Sequence, residues 1–169
     1  MKLRALFPVI TLIALMSLSA CGFRPLYAED RSGQSTAVDM SQVEVTLIND
    51  RVGQITRNLL IETLMPRGQI ANPAYTLDVK VTESTSEQGF TKDNEATIAD
   101  YSLSANYQLT RKSDATLLRK GRVRARTSYN IVDSDFASLE AEKAARRDAA
   151  RNLAQQIANQ VAVGLRANP

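Results

Sequence analysis

Cys21 is the first residue whose side chain could take part in a reaction, and it is the only cysteine in the 169-residue chain. It follows Leu18-Ser19-Ala20, and a signal peptidase requires small residues before its cleavage point. Upstream lie Lys2, Arg4 and an apolar run from Leu6 to Leu18, which is shorter than the roughly 20 residues of a membrane-spanning helix. This order is typical of a bacterial lipobox. We therefore expect a lipoprotein signal peptide over residues 1–20 and acyl chains on Cys21; an ordinary signal peptide with an incidental cysteine is the alternative.

Lipidation at this cysteine predicts where the protein resides. Two or three acyl chains are enough for stable membrane anchoring, which takes two such signals. The next residue is Gly22, not Asp, which favours the outer membrane by resemblance to the sorting rule of enterobacterial lipoproteins. We expect a lipid-anchored protein on the periplasmic side of that membrane. Export also argues against a nucleic-acid partner, and removal of Lys2 and Arg4 leaves 19 basic and 18 acidic residues.

Four cations form the second group that could do chemistry. Within a predicted strand they alternate with other residues, so their side chains share one face about 7 Å apart. We call this set the cationic ladder; it consists of Lys120, Arg122, Arg124 and Arg126. Two interpretations are open: a solvated face on an edge strand, or a site for an anionic partner such as a phosphorylated lipid or an acidic protein wall.

The strand register decides how many of these cations lack a carboxylate. Pairing Thr110 with Thr116 keeps the apolar faces together. It places Asp100 opposite Arg126 and leaves the other three cations opposite neutral side chains, those of Ser102, Ser104 and Asn106. The three cations without a carboxylate across from them are the observation behind the second interpretation, and the solvated face stays open beside it.

Other chemistry is largely excluded by composition. The chain has no histidine, so imidazole catalysis and histidine metal sites are ruled out, and one cysteine permits neither an internal disulfide nor a cysteine-cluster zinc site. The carboxylates show no cluster spacing, and Gly53 and Gly68 form no phosphate loop. We therefore expect neither an enzyme nor a bound cofactor or metal. An exported enzyme with unrecognised serine or carboxylate chemistry is the alternative.

Hydrophobic periodicity predicts the elements that carry these residues. Alternation of apolar and polar side chains indicates strands with one covered and one wet face, and apolar residues at helical spacing indicate two helices. The predicted strands are 42–48, 75–84, 97–110 and 116–130, and the predicted helices are 51–65 and 136–165. Asp50 is a plausible cap for the first helix, and Ser134 or Asp135 for the second.

These elements predict an α+β fold, a two-layer sandwich in which a four-stranded mixed sheet carries two helices on one face. The order is β-α-β-β-β-α. We expect a signal peptide over 1–20, a lipidated flexible tether over 21–41 and a single domain over 42–165. The first half of the second helix is rich in alanine and charge, so we expect it to pack weakly.

Several short motifs along the chain carry a resemblance to a known family. They are Cys21-Gly22-Phe23-Arg24-Pro25-Leu26-Tyr27, Arg57-Asn58-Leu59, Ser128-Tyr129-Asn130, Phe136-Ala137, Glu140, Ala144, Arg147, Leu153-Ala154 and Ile157. In these motifs the chain resembles the LptE family of lipopolysaccharide-assembly lipoproteins, above all its alphaproteobacterial members. The resemblance covers nearly the whole mature chain. Pro25-Leu26-Tyr27 departs from the enterobacterial pattern, so no lipopolysaccharide-binding residues are transferred from that branch.

The resemblance implies a non-enzymatic partner of the outer-membrane barrel LptD. Such a protein sits in the barrel lumen as a plug, supports barrel assembly and binds lipopolysaccharide. A lipoprotein subunit of an ABC-type lipid-transport system is the alternative, since it shares export, lipidation and the lack of catalysis.

Overall fold

The computed structural model describes residues 40–66, 68, 70–90 and 96–167. The predicted signal peptide and Cys21 lie outside this range, as does the predicted tether up to residue 39. In the part of the chain that is described, neither helix is long and apolar enough to cross a membrane.

Six elements follow one another in the predicted order. They are β1 (Val43–Val45), α1 (Arg51–Leu64), β2 (Tyr75–Phe90), β3 (Ala96–Arg111), β4 (Leu117–Asn130) and α2 (Asp135–Ala167). The strands lie side by side in chain order, β1 parallel to β2 and the other pairs antiparallel. The predicted α+β fold, a mixed four-stranded sheet with two helices, is confirmed.

One face of the sheet, which we call the covered face, packs against the helices and forms the core. Alternate residues of β3 are buried there without a break: Ala99, Tyr101, Leu103, Ala105, Tyr107 and Leu109. From α2, Leu153, Ile157 and Val161 meet them, and α1 contributes Leu60 and Leu64. The opposite face, which we call the open face, carries the polar residues between these positions. The period of two along each strand therefore separates core from surface.

The region between β1 and α1 differs from the prediction. Alternation along the predicted strand 42–48 would place Leu47 in the core with Val43 and Val45, but Leu47 is 71% exposed, whereas Ile48 is 2% exposed. The cause is that β1 ends at Val45, so strand alternation no longer applies beyond it. Ile48 instead packs over Gly53 of α1, where an added Cβ would lie 2.7 Å from its Cγ2 atom.

The helix starts also refine the prediction. Asp50 occupies the N-cap position of α1 at φ 67°, but its side chain makes no capping hydrogen bond. Gln54 in the first turn makes a different contact: its Nε2 atom donates to the Ile48 carbonyl at 2.6 Å and ties the helix to the preceding connection. At α2, the Ser134 hydroxyl accepts from the Ala137 amide at 3.4 Å, so Ser134 is the cap.

The first part of α2 has little apolar packing, as expected. Residues 135–144 include no buried side chain. Leu139, which helical spacing would place on the apolar side with Leu153 and Ile157, is 48% exposed. The first buried residue of the helix is Ala145, and the next residue, Arg146, forms a polar link between helix and sheet. There Arg146 Nε lies 3.3 Å from Glu83 on β2, and the Tyr101 hydroxyl donates to the same carboxylate at 2.5 Å. Polar contacts thus replace apolar ones where the helix extends along the sheet.

Candidate functional site: the cationic ladder on the open face

The cationic ladder lies on β4, an edge strand of the sheet. All four of its side chains are exposed and stand on the open face, as their spacing predicted. The strand beneath them is fixed from the covered face by Ala125, which is buried, and by Gly121, where an added Cβ would lie 2.8 Å from the Tyr107 hydroxyl. From α2, Gln156 Nε2 donates to the Arg124 carbonyl at 3.2 Å. The ladder therefore stands on a firmly packed strand.

The strand register differs from the expected one by two residues. Thr110 pairs with Leu117 instead of Thr116, and a bulge next to Leu109 adds one further residue to β4. A shift of two keeps every side chain on its predicted face, because faces alternate with a period of two. The predicted faces were therefore right although the predicted partners were wrong.

With the observed register, Asp100 faces Ser128 and not Arg126. Its carboxylate accepts hydrogen bonds from the Ser128 hydroxyl at 2.6 Å and from Gln88 Nε2 at 3.0 Å. Arg126 faces Ser102 instead. The prediction that Asp100 lies directly across from a ladder cation was wrong, because the two-residue shift in register moves Arg126 to a diagonal position.

All four ladder cations consequently lie opposite neutral side chains. Their partners on β3 are, from Lys120 to Arg126, Gln108, Asn106, Ser104 and Ser102. The only side-chain hydrogen bond found for a ladder residue within the described segments is from Arg124 Nε to the Ser104 hydroxyl, at 3.1 Å. None of the ion pairs between described residues includes a ladder cation. The positive charge of the ladder is thus left uncompensated by close acids.

The cations on α2, unlike those of the ladder, have acidic partners. Arg146 pairs with Glu142 at 2.8 Å, and Arg151 pairs with Asp148 at 2.8 Å. Glu140 binds Lys143, and this hydrogen bond together with the charge of Lys143 lowers the pKa of the Glu140 carboxyl. The basic residues of α2 are therefore interspersed with acids, whereas those of the ladder are not.

A fifth cation joins the open face from a different strand. Lys80 on β2 pairs with Asn106, which in turn pairs with Arg122, so all three share one row across the sheet. Lys80 and Arg122 are two strands apart, about 10 Å at the usual spacing. The sequence alone does not reveal this juxtaposition, because it depends on the register between β2 and β3. Asp78 and Asp100 are the acids that β2 and β3 contribute to the open face.

Arg119 on β4 is a cation that lies on the covered face and not on the open face. It precedes Lys120 but points to the covered face, where its Nε and its terminal nitrogen donate to Gln160 Oε1 at 2.9 and 2.6 Å. Its aliphatic stem packs over Gly164 of α2. Arg119 therefore joins sheet to helix and does not belong to the ladder.

The ladder can bind anions but shows no catalytic geometry. Arginine side chains hold phosphate or carboxylate oxygens through two parallel N–H bonds, and a row about 7 Å apart can meet several anionic groups at once. In residues 40–66, 70–90 and 96–167, no three Cys, Asp or Glu side chains come together as a metal site would require. What the face offers is fixed, exposed positive charge.

A comparison with family models decides the kinship of this domain. The model of the LptE family, described as lipopolysaccharide-assembly, matches residues 40–161. The chain belongs to the LptE family. The match begins at the first described residue and ends in the last turns of α2, so it covers the sheet and the helices that support the ladder.

Solved structures similar to this LptE-family chain share its fold. A lipoprotein from Caulobacter crescentus CB15 has a TM-score of 0.63 at 23% identity, covering 79% of this chain and 97% of that one. A minor lipoprotein from Acinetobacter baumannii has a TM-score of 0.55 at 16% identity, covering 74% and 93%. The rare lipoprotein B from Shewanella oneidensis has a TM-score of 0.51 at 8% identity, with the same coverage. No curated protein sequence matches the chain significantly.

Proposed function

We propose that this LptE-family protein is a non-enzymatic outer-membrane lipoprotein that partners an LptD-type barrel in lipopolysaccharide transport to the cell surface. The observation that carries the proposal is the family match, which spans the described domain almost entirely. In this role the domain occupies the barrel lumen as a plug and supports barrel assembly. A two-layer domain with one polar face suits a water-lined lumen, because that face needs no apolar cover.

The cationic ladder is the proposed contact for the anionic groups of this pathway. Lipopolysaccharide carries phosphates at its lipid A end, and the rim of a barrel can present carboxylates. Four exposed cations, each opposite a neutral side chain, have no close acid to displace before binding such groups. Lys80 extends the positive surface across the sheet towards β2. We infer that lipopolysaccharide phosphates bind here with an affinity that falls as salt screens the charges.

Cys21 is the proposed attachment point for the membrane. Acyl chains on this residue would hold the protein at the periplasmic side of the outer membrane, with residues 21–41 as a tether to the domain. We expect Cys21→Ser to yield unprocessed or soluble protein. Mass measurement of the native protein tests this, and an unmodified Cys21 would contradict it.

Co-purification tests the proposed partnership. The native protein is extracted in detergent with an affinity tag at its carboxyl end, and its partners are identified by mass spectrometry. We expect a large outer-membrane barrel in stoichiometric amount, because such an interface is obligate. Recovery of inner-membrane ABC-transporter subunits instead would favour the alternative of a lipid-transport subunit.

A further inference from the structure

The outer edge of β2 is uncovered over most of its length. β1 pairs only with Tyr75–Leu77, and its last contact is the hydrogen bond from the Thr46 amide to the Leu77 carbonyl at 3.1 Å. β2 continues as far as Phe90. Among the described elements, no strand pairs with this edge beyond Leu77. The slot occupied by β1 therefore continues, empty of any described strand, along the rest of β2.

The direction of the backbone groups along this edge follows from the β1 pairing. The Tyr75 amide donates to the Gln42 carbonyl, and the Leu77 carbonyl accepts from the Thr46 amide. The backbone N–H and C=O groups of odd-numbered residues in β2 therefore point away from β3. By the same alternation, the backbone groups of five further residues also point away from β3: Val79, Val81, Glu83, Thr85 and Glu87. Their N–H and C=O groups form an edge about 30 Å long that is ready to pair with another strand.

The opposite edge of the sheet, on β4, is protected where β2 is not. There the outward backbone groups belong to the residues of the cationic ladder, and Gln156 already binds the Arg124 carbonyl. A run of like charges on an edge strand is a usual device against unwanted pairing. β2 between Asp78 and Phe90 has no proline, is rich in Thr, Ser and Val, and is exposed from Thr82 to Gly89. The edge of β2 is therefore suited to pairing with an additional strand.

A cavity marks the point where β1 leaves this edge. It has a volume of about 280 Å³ and is lined by residues 46–50 of the β1–α1 connection and 78–81 of β2. Val79 and Val81 give its wall an apolar component. A strand that continues the slot of β1 would end here, so the cavity can receive its terminal side chain.

The charges along the edge specify what kind of strand fits. Asp78, Glu83 and Glu87 stand against a single cation, Lys80. Arg146 partly compensates Glu83, at 3.3 Å, whereas Glu87 makes no ion pair within the described residues. A second copy of this edge would bring acids towards acids, which destabilises strand pairing. A strand with basic side chains is complementary.

We propose that the outer edge of β2, from Val79 to Glu87, binds an extended segment of a partner polypeptide as an added strand. The segment carries apolar side chains against Val79 and Val81 and a basic side chain against Glu87. Backbone hydrogen bonds supply the affinity and the alternate side chains supply the choice of partner, as in other cases of strand addition. This proposal does not depend on lipopolysaccharide binding or on the identity of the barrel.

The test uses labelled synthetic peptides and the full chain, with binding measured by fluorescence anisotropy. The probe is Lys-Thr-Val-Thr-Lys-Thr-Val-Thr-Val, which matches the edge in the antiparallel direction, together with the reversed sequence for the parallel direction. Control peptides replace Lys by Glu, or carry N-methyl groups on alternate residues so that backbone pairing is blocked. We expect at least one lysine peptide to bind at least tenfold more tightly than both of its controls.

Two variants of the protein complete the design. Thr85→Pro removes an outward N–H that the β2–β3 ladder does not use, so we expect the fold to persist and peptide binding to fall at least tenfold. Glu87→Lys should reverse the preference between lysine and glutamate peptides, while Glu62→Lys on α1 serves as a control of equal charge. If Thr85→Pro fails to fold, the peptide preference of Glu87→Lys decides whether the proposal holds.

Several results would overturn the proposal. They are equal binding of the N-methylated peptide, an unchanged preference in Glu87→Lys, or no binding of any peptide. Sedimentation of the wild type also counts against the proposed occupant if it shows a dimer that Thr85→Pro dissociates, because a second copy would then fill the edge.

Discussion

The two faces of the same sheet carry different tasks, and the difference lies in alternate residues of the same strands. Along β4, Ala125 points into the core, whereas its neighbours Arg124 and Arg126 point to solvent. Along β3, Tyr101 and Leu103 are fully buried, while Ser102 between them faces the ladder. Burial on the covered face supplies the free energy of folding, and we propose that the unpaired charge on the open face supplies recognition. A change on one face should therefore leave the function of the other nearly intact.

The largest effect is expected in the core. Leu153 of α2 is fully buried against the covered face, so Leu153→Ala should lower the free energy of unfolding by about 2–5 kcal/mol. Val163 on the same helix is 37% exposed, and Val163→Ala should cost about 1 kcal/mol or less. Urea unfolding measures both. Equal stability of the two variants would show that the covered face is wrongly assigned.

A smaller effect is expected at the polar link between α2 and the sheet. Tyr101→Phe removes the hydrogen bond to Glu83, which should cost about 1–2 kcal/mol in the free energy of unfolding. It leaves the ring in the core and under Arg146, whose guanidinium carbon lies 5.6 Å from the ring centroid. Thermal and urea unfolding at neutral pH provide the measurement, and an unchanged midpoint would contradict a role for this link.

The same residue predicts a dependence on pH. Burial, followed by the hydrogen bond to Glu83, raises the pKa of Tyr101 above its ordinary value of 10.0. The folded state therefore holds this proton more tightly than the unfolded state. The resulting stability is complete below about pH 10 and is lost as the pH rises further towards the folded-state pKa. In Tyr101→Phe the loss of stability above pH 10 should be smaller than in the wild type, as unfolding measured across that range would show.

The smallest effect on stability is expected from a change on the open face. Asn106 is exposed and faces Arg122, so Asn106→Asp places a carboxylate across from the ladder without changing the size of the side chain. An exposed pair of this kind contributes about 0.2–1 kcal/mol to stability. Binding of lipopolysaccharide should nevertheless weaken, because the new acid competes for Arg122 and repels phosphate. Binding equal to that of Asn106→Ala would contradict this.

The faces and the order of elements could be predicted from the sequence. The alternation of apolar and polar side chains along one strand does not depend on the exact length of the strand or on its register with the next strand. β2 extends six residues beyond the expected Ser84, yet its alternate residues keep their assigned sides. The register could not be predicted, since it depends on the turn after Arg111 and on the bulge at Leu109. Lys80 was missed as a neighbour of Arg122 for the same reason. The exposure of Leu47 depends on where β1 stops, which alternation alone does not indicate.

The double change Arg122→Ala, Arg124→Ala tests most directly whether the open face is the recognition surface. Arg147→Ala, Arg151→Ala on α2 removes the same charge from exposed positions outside the ladder and is the matched control. Binding of purified lipopolysaccharide is measured for both variants and the wild type at two salt concentrations. We predict that the ladder variant keeps its unfolding midpoint, loses at least tenfold in affinity at low salt and depends less on salt, while the control binds like the wild type. Equal affinity of the ladder variant and the wild type would show that the ladder is only a solvated face.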